Sequence, residues 1–465
     1  MKKRMISALI MGTCILSMTG FANNDQINQN VSAVEVEGLN TDAGGSMGTG
    51  QLVLNAIKQA KQSIDISIYD LNGETINAAL VDALSRGVNV RIIFNGNYSG
   101  TTHEANVKDV EAQLKAAKPG PGGKLGTYSL HWSSNNFQIT HSKYVVIDAV
   151  DQNGQPLQTL PSSATLIIST GNMSDYESTP WYNARDFELQ VQNPDAIVQA
   201  ENVFYSDFNC DGVNVTNNLL NSSPLVWSNG TTGANASDPA DAYPTSSEGY
   251  PYEDKLSANA TIQGGARNTM YNIINSAQSG DTINFYNEEI SDDSASAQNI
   301  NNALLAALKK HVTVDIIMAS SAYSQYSFKT QLDEMAKAGA DIHLIDESDS
   351  QPYIHAKVVS LLPASGHNIP ASQPSMYVGS TNDSGPSMDM NRELGIALNS
   401  GDQSAINTIN DQFAYDWQMP HETPSSSAAH ISAEQSHLSQ EVSENLKLAS
   451  QSGSFTTQTC GPINI

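Results

Sequence analysis

Basic residues are scarce in this chain of 465: 22 Lys and Arg stand against 48 Asp and Glu, a formal net charge of −26 at pH 7. So acidic a protein repels phosphate polyanions at long range, which argues against a histone-like or scavenging nucleic-acid binder. Cysteine is scarcer still, at three, so a disulfide-rich scaffold is excluded, and no paired-Cys metal motif is found. Apolar runs are short: the longest, Met5 to Met18, does not reach the ~20 residues that cross a bilayer. What remains is 39% hydrophobic, 7% aromatic and 15% charged. That is a polar but globular composition, long enough for two domains or one large duplicated one.

Lys2, Lys3 and Arg4 precede the apolar run, and Gly20-Phe21-Ala22 follow it. The basic, apolar, small-residue order predicts a signal peptide over residues 1–22, cleaved after Ala22, and an exported protein, secreted or periplasmic. A retained anchor is the alternative. Cys14 lacks the small residue before it that lipid attachment favours. Beyond the run only Cys210 and Cys460 remain. In an oxidising compartment they permit one disulfide, which would tie the far C-terminus to the middle of the chain; two separate thiols are the other reading.

The two halves resemble each other. Ala83 to Phe94 matches Ala307 to Met318, a helix end feeding a strand in both. Upstream, Ile57 to Lys61 follows a helical pattern before the strand Ile64 to Tyr69, as Ile273 to Ala277 does before Thr282 to Tyr286. The alternation predicts an α/β fold of two lobes, each a mixed β-sheet flanked by α-helices. The expected boundaries are an N-terminal extension over 23–44, a first lobe over 45–220, a linker or loop over 221–256, a second lobe over 257–420 and a tail over 421–465. The linker is rich in Ser, Gly, Asn, Asp and Pro, and its Trp227, Tyr243, Tyr250 and Tyr252 either anchor it to its own domain or face a lipid surface. In the tail, Leu438, Val442 and Leu446 recur every four residues and predict a short helix.

The chemistry lies in the repeats. His141-Ser142-Lys143 is followed by Asp148 and by Ser169-Thr170-Gly171-Asn172; His355-Ala356-Lys357 is followed by Gly379-Ser380-Thr381-Asn382. On extended backbone, residues two apart project from one face, so imidazole and ammonium point into one cleft. Each H-x-K is embedded in apolar residues, and a buried Lys143 or Lys357 is costly unless an anion meets it. A phosphate between the two strands satisfies both.

These residues resemble the phospholipase D superfamily, whose signature is H-x-K-x-x-x-x-D with a downstream G-S-x-N, present twice. The resemblance covers roughly residues 45 to 420 and extends to secreted bacterial members. It implies a two-lobed fold with pseudo-twofold symmetry, one active site between the halves, and phosphodiester transfer through a phosphohistidine without an obligatory metal. By that resemblance His141 is the nucleophile and His355 the general acid, then base; the reverse assignment is the alternative. Lys143, Lys357, Asn172 and Asn382 would hold the nonbridging oxygens, with Ser380 and Thr170 beside them. Glu188 and Glu393 occupy the acidic position downstream of Asn and would orient the two rings. Asp148 would support the first motif. The chain departs from the pattern at Leu362, which stands where the second motif's Asp is expected, and at Ser169, which replaces a Gly.

His421, His430 and His437 lack metal-ligand spacing, and a solvent-facing position is expected for each. Asp292-Asp293 and Asp346-Glu347-Ser348-Asp349 could attract calcium, although the loop spacing of a calcium motif is missing; no cofactor is required and no metal site is assigned. The expected function is that of a secreted phospholipase D, probing a phospholipid membrane surface as a monomer. It would hydrolyse glycerophospholipids such as phosphatidylcholine to phosphatidic acid and free head group, or exchange the head group for an alcohol. Alternatives are a nuclease or phosphodiesterase with the same machinery, which the negative charge disfavours, and a non-catalytic lipid- or surface-binding protein keeping the fold. Nucleic acid is not an expected partner.

Overall fold

Two sheets wrapped by helices carry the chain in the computed structural model, which describes residues 29–38, 50–96, 101–133, 137, 139–151, 153–174, 183–210, 223–228, 265–291, 294–325, 329–348, 350–424 and 460–463. The expected signal peptide over 1–22, Cys14, Tyr243, Tyr250, Tyr252, Asp292, Asp293, Asp349, His430, His437 and the expected tail helix through Leu438, Val442 and Leu446 lie outside the described residues.

The first sheet runs in the order Val31–Val36, Phe187–Val191, Thr165–Ser169, Tyr144–Ile147, Ser63–Ile68, Asn89–Phe94, Tyr128–Trp132 and Gly461–Pro462. The second runs Leu225–Ser228, Glu393–Leu398, Met376–Gly379, Val358–Leu362, Thr282–Tyr286, Thr313–Ala319 and Asp341–Ile345. Seven positions coincide strand for strand. Ser63–Ile68 pairs parallel with Asn89–Phe94 and antiparallel with Tyr144–Ile147, as Thr282–Tyr286 does with Thr313–Ala319 and Val358–Leu362. Central strands such as Ser63–Ile68 and Tyr144–Ile147 are buried along their whole length, which explains their near-continuous Ile and Val. The helix Gln51–Gln59 lays Val53, Leu54, Ala56 and Ile57 against its sheet. Asn193 caps the helix Pro194–Phe208 by accepting from the Ala196 amide, with Pro at the first helical position.

One core joins the lobes, with Tyr144, Phe187 and Phe204 of the first and Trp227, Tyr286 and Phe413 of the second in a single cluster. A separate core closes the other face of the first sheet. Polar groups also cross between the lobes. Arg185 donates to Asp416 at 2.7 and 3.1 Å, and Arg392 donates to Asp207 at 2.8 Å, all four being buried. The pairs are equivalent under the duplication: each guanidinium reaches the last turn of the helix closing the opposite lobe, Gln403–Asp416 or Pro194–Phe208. Such pairing is what makes buried charges tolerable.

Three expected boundaries are revised. Within the supposed extension 23–44, Val31–Val36 is an edge strand antiparallel to Phe187–Val191. Asp402 of the second lobe accepts from its Asn30 and Val31 amides at 2.7 and 3.0 Å. Within the supposed linker 221–256, Leu225–Ser228 is the matching edge strand of the second sheet. Its Trp227 is wholly buried, edge-on to Tyr144 at 5.7 Å, so it serves the inter-lobe core and meets no lipid. From the tail, Gly461–Pro462 returns to pair with Tyr128–Trp132, beside a disulfide between Cys460 and Cys210. Short strands set among Ser, Asn and Gly read as loops, because only pairing with a distant partner makes them strands. No helix among the described residues is long and apolar enough to cross a membrane.

Candidate active site

Each H-x-K motif lies on the extended approach to a central strand, Tyr144–Ile147 or Val358–Leu362, at the seam between lobes. The seam is built symmetrically. The His141 amide donates to the Arg392 carbonyl at 2.9 Å, and the His355 amide to the Arg185 carbonyl at 3.3 Å. Both ammonium groups are wholly buried and turn back on their own motifs: Lys143 Nζ donates to the His141 carbonyl at 2.6 Å, and Lys357 Nζ to the His355 carbonyl.

The rings are held from across the seam. His141 Nδ1 lies 3.0 Å from both oxygens of Glu393. His355 Nδ1 lies 2.9 and 3.0 Å from the oxygens of Asp186, so the orienting position assigned to Glu188 belongs to Asp186. Register explains the shift. Glu188 pairs with Ser169 where Gly395 pairs with Gly379, which makes Asp186 the equivalent of Glu393. Arg185-Asp186 and Arg392-Glu393 are repeated dipeptides, and aligning the halves on Arg would have found the acid. Glu188 instead faces the start of the helix Gln51–Gln59: it accepts from the Val53 amide at 3.2 Å while Glu35 accepts from Leu52 at 2.7 Å. Burial and the neighbouring Glu35 push Glu188 up to about 8.

Thr170 and Ser380 also differ from expectation. Each hydroxyl donates to an orienting carboxylate at 2.5 Å, Thr170 to Asp186 and Ser380 to Glu393. Each also accepts from the backbone amide of the residue that follows its carboxylate, Phe187 at 2.9 Å and Leu394 at 3.1 Å. They brace the acids that brace the rings. Gly171 is required here, since a Cβ would fall 2.5 Å from Asp186 Oδ2. Asn382 is buried and Asn172 is partly so; both amide oxygens are buried with no hydrogen-bond partner. Amide oxygens accept, so a phosphate oxygen would be met by the Nδ2 group of each side chain and not by these atoms.

Asp148 supports the first motif by accepting from the Lys61, Gln62 and Ser63 amides at 3.0, 2.7 and 3.1 Å. Leu362 cannot do this, but Asp281 clamps the same junction from the facing strand. It accepts from the Gln278 and Ala364 amides, both at 2.7 Å, and contacts His367 Nδ1 at 2.7 Å.

Electrostatics separate the two sides. Burial, reinforced by Lys143 and Lys357, brings His141 down to about 4 against the opposing pull of Glu393, leaving a neutral ring at pH 7. Burial would raise Glu393, but His141, Lys143 and the Ser380 hydroxyl hold it below the usual carboxylate range. An ionised acceptor at Nδ1 fixes the tautomer with its lone pair on Nε2. Burial and Lys357 bring Lys143 down to about 7, a charge that an arriving anion would restore.

One member of the centre escaped sequence reading. Glu288, just beyond Thr282–Tyr286, places Oε2 2.9 Å from Lys357 Nζ, 3.2 Å from Asn382 Nδ2 and 3.4 Å from His355 Nε2. Its other oxygen accepts from the Tyr353 hydroxyl at 2.8 Å. Register puts Tyr69 at the same position in the first lobe, edge-on to His141 at 5.2 Å, with Lys143 Nζ 5.5 Å from its ring centre. Because the halves differ here, no repeat pointed to it. Among the described residues, no group of three or more His, Cys, Asp or Glu could hold a metal ion. His421 is exposed and stacks on His343 with ring centres 3.3 Å apart.

A family model described as "Cardiolipin synthase, PLD-like domain" matches residues 53–208 and 270–417, more than half of the chain. No curated protein matches the sequence. Among solved structures, polyphosphate kinase from Porphyromonas gingivalis is similar at 15% identity with a TM-score of 0.47, over 82% of this chain. The match spans 52% of that kinase, about half its length. Phosphatidylserine synthase from Haemophilus influenzae Rd KW20 has 12% identity and a TM-score of 0.47, over 84% of this chain and 88% of its own. Nuc from Salmonella typhimurium, a phospholipase D family member, has 23% identity and a TM-score of 0.27, over 38% of this chain and 94% of its own.

Proposed function

This chain belongs to the cardiolipin synthase PLD-like domain family of the phospholipase D superfamily, whose members handle phosphodiesters, and from that membership we propose that it is an exported phospholipase D acting on glycerophospholipids. The observation that carries the reading is the crossed pair of imidazole–carboxylate contacts, His141 with Glu393 and His355 with Asp186, above two wholly buried lysines.

In the first step the His141 Nε2 lone pair attacks phosphorus. The N–P bond forms while the P–O bond to the head-group alcohol breaks, and His355 passes a proton to the departing oxygen. In the second step the now neutral His355 takes a proton from water or an alcohol. That oxygen bonds to phosphorus as the P–N bond breaks, releasing phosphatidic acid or an exchanged phosphatidyl-alcohol. Lys143, Lys357, Asn172 and Asn382 hold the nonbridging oxygens as charge develops, while Asp186 and Glu393 keep the rings aimed. The scheme requires no metal or cofactor. One chain supplies both histidines, so a monomer at a phospholipid surface suffices.

The test is a vesicle assay on phosphatidylcholine with and without a primary alcohol. Choline release, and a phosphatidyl-alcohol product that grows at the expense of phosphatidic acid, are the expected results. Cleavage of DNA with neither lipid product would replace this reading with the nuclease. Lipid binding with no turnover of any phosphodiester would leave a non-catalytic binding protein.

A further inference from the structure

Glu288 breaks the symmetry of the centre at the point where the chemistry is asymmetric. Three groups meet its Oε2: Lys357 Nζ, Asn382 Nδ2 and His355 Nε2, at 2.9, 3.2 and 3.4 Å. The reading above gives the first two to a nonbridging phosphate oxygen and the third to the departing oxygen. In the free protein a carboxylate therefore stands where the substrate's anion must go. Lys357 and His355 hold Glu288 well below the usual carboxylate range despite burial, so it stands there ionised.

When a phosphate takes Lys357 and Asn382, and His355 gives its proton to the departing oxygen, the carboxylate loses both of its counter-charges. It is 7% exposed, and a buried charge left unpaired is among the costliest arrangements in a protein. Tyr353 still tethers Oε1 at 2.8 Å, which keeps the displaced group near His355 and hence near the departing alcohol. An alcohol carrying a cation close to its oxygen restores the pairing. An uncharged or anionic alcohol does not, and neither does free phosphate, which brings negative charge alone.

We propose that Glu288 is a specificity-determining residue that yields the anion position to the substrate's phosphate and then pairs with a positively charged nitrogen on the leaving group, selecting phosphodiesters of amino-alcohols. The assignment rests on the phospholipase D reading and deepens it by naming the substrate class.

Two measurements on the full chain test it with Glu288→Gln, which keeps the size and the Tyr353 contact and removes the charge. The first is the affinity for inorganic phosphate by calorimetry, which needs no turnover. The second is the ratio of kcat/KM for phosphatidylethanolamine to that for phosphatidylglycerol, presented in micelles of one detergent composition. With the charge gone, phosphate should bind at least about tenfold more tightly, and the ratio should fall at least about tenfold, each equal to one well-formed ionic contact. Tyr353→Phe loosens the carboxylate without neutralising it and should lower the ratio about threefold, the worth of one neutral hydrogen bond. This variant stands in should Glu288→Gln not fold. A ratio that stays within twofold of wild type in the folded variant overturns the assignment while leaving the phospholipase D reading intact. Wild-type protein that turns over neither lipid overturns both.

Discussion

Asp186 and Glu188 stand two residues apart on one strand approach, and their removal should have opposite consequences. Asn at 186 keeps the side-chain size but offers His355 Nδ1 a neutral partner in place of a carboxylate at 2.9 and 3.0 Å. Hydrogen bonds to charged groups contribute about 1.5–3 kcal/mol, which at about 1.36 kcal/mol per decade is a rate loss of roughly 10- to 150-fold. An amide can also donate to Nδ1 and select the wrong tautomer, which in a serine-protease triad carries the same substitution to about 10⁴. A fall in kcat of about 10 to 10⁴ is therefore expected for Asp186→Asn. Glu188 is pushed up to about 8, so at pH 7 it is already a protonated carboxyl. Glu188→Gln should then stay within about threefold of wild type. The assay is kcat on a soluble chromogenic phosphodiester at pH 7, with thermal midpoints recorded to establish folding. Equal damage from both substitutions, or an Asp186→Asn enzyme within threefold of wild type, would refute the register argument.

His141→Asn and His355→Asn should each lower kcat by about 10⁴ or more at near-unchanged thermal midpoint, since each removes a reacting ring; substantial turnover in either overturns its role. Cys460→Ser opens a link across 250 residues, and denaturant unfolding should show a loss of about 2–4 kcal/mol. Glu188 also shapes the stability profile. Burial pushes its folded pKa up to about 8, above the ordinary glutamate range, so the folded protein keeps a proton that the unfolded chain releases. That contribution is full below the unfolded value and is lost as pH rises through the folded one. The stability difference between wild type and Glu188→Gln should shrink from pH 5 to pH 8 by at most about 1.4 kcal/mol per pH unit, then level off. A difference independent of pH contradicts the protonated carboxyl.

The groups of the candidate site were legible because they repeat: two H-x-K motifs and two downstream Asn residues stand out by local spacing. Glu393 was found the same way. Asp186 was missed because alternation places 186 and 188 on one face, and only pairing against Ser169 and Thr170 decides between them. The hydroxyls of Thr170 and Ser380 could not be assigned from spacing, since donation to a carboxylate and donation to a phosphate look alike in sequence. Val31–Val36 and Leu225–Ser228 became strands through partners more than 150 residues away. Glu288 had no twin, so repetition could not reveal it.

The exchange of acids across the seam makes closure and competence a single property. Neither half possesses a complete imidazole dyad of its own, because the carboxylate for each ring is delivered by the neighbour. Splaying the halves by an ångström or two would mis-aim both rings together, leaving no half-working species. Severed halves, each with its own histidine and lysine, should be silent apart and regain turnover only in proportion to how fully they dock.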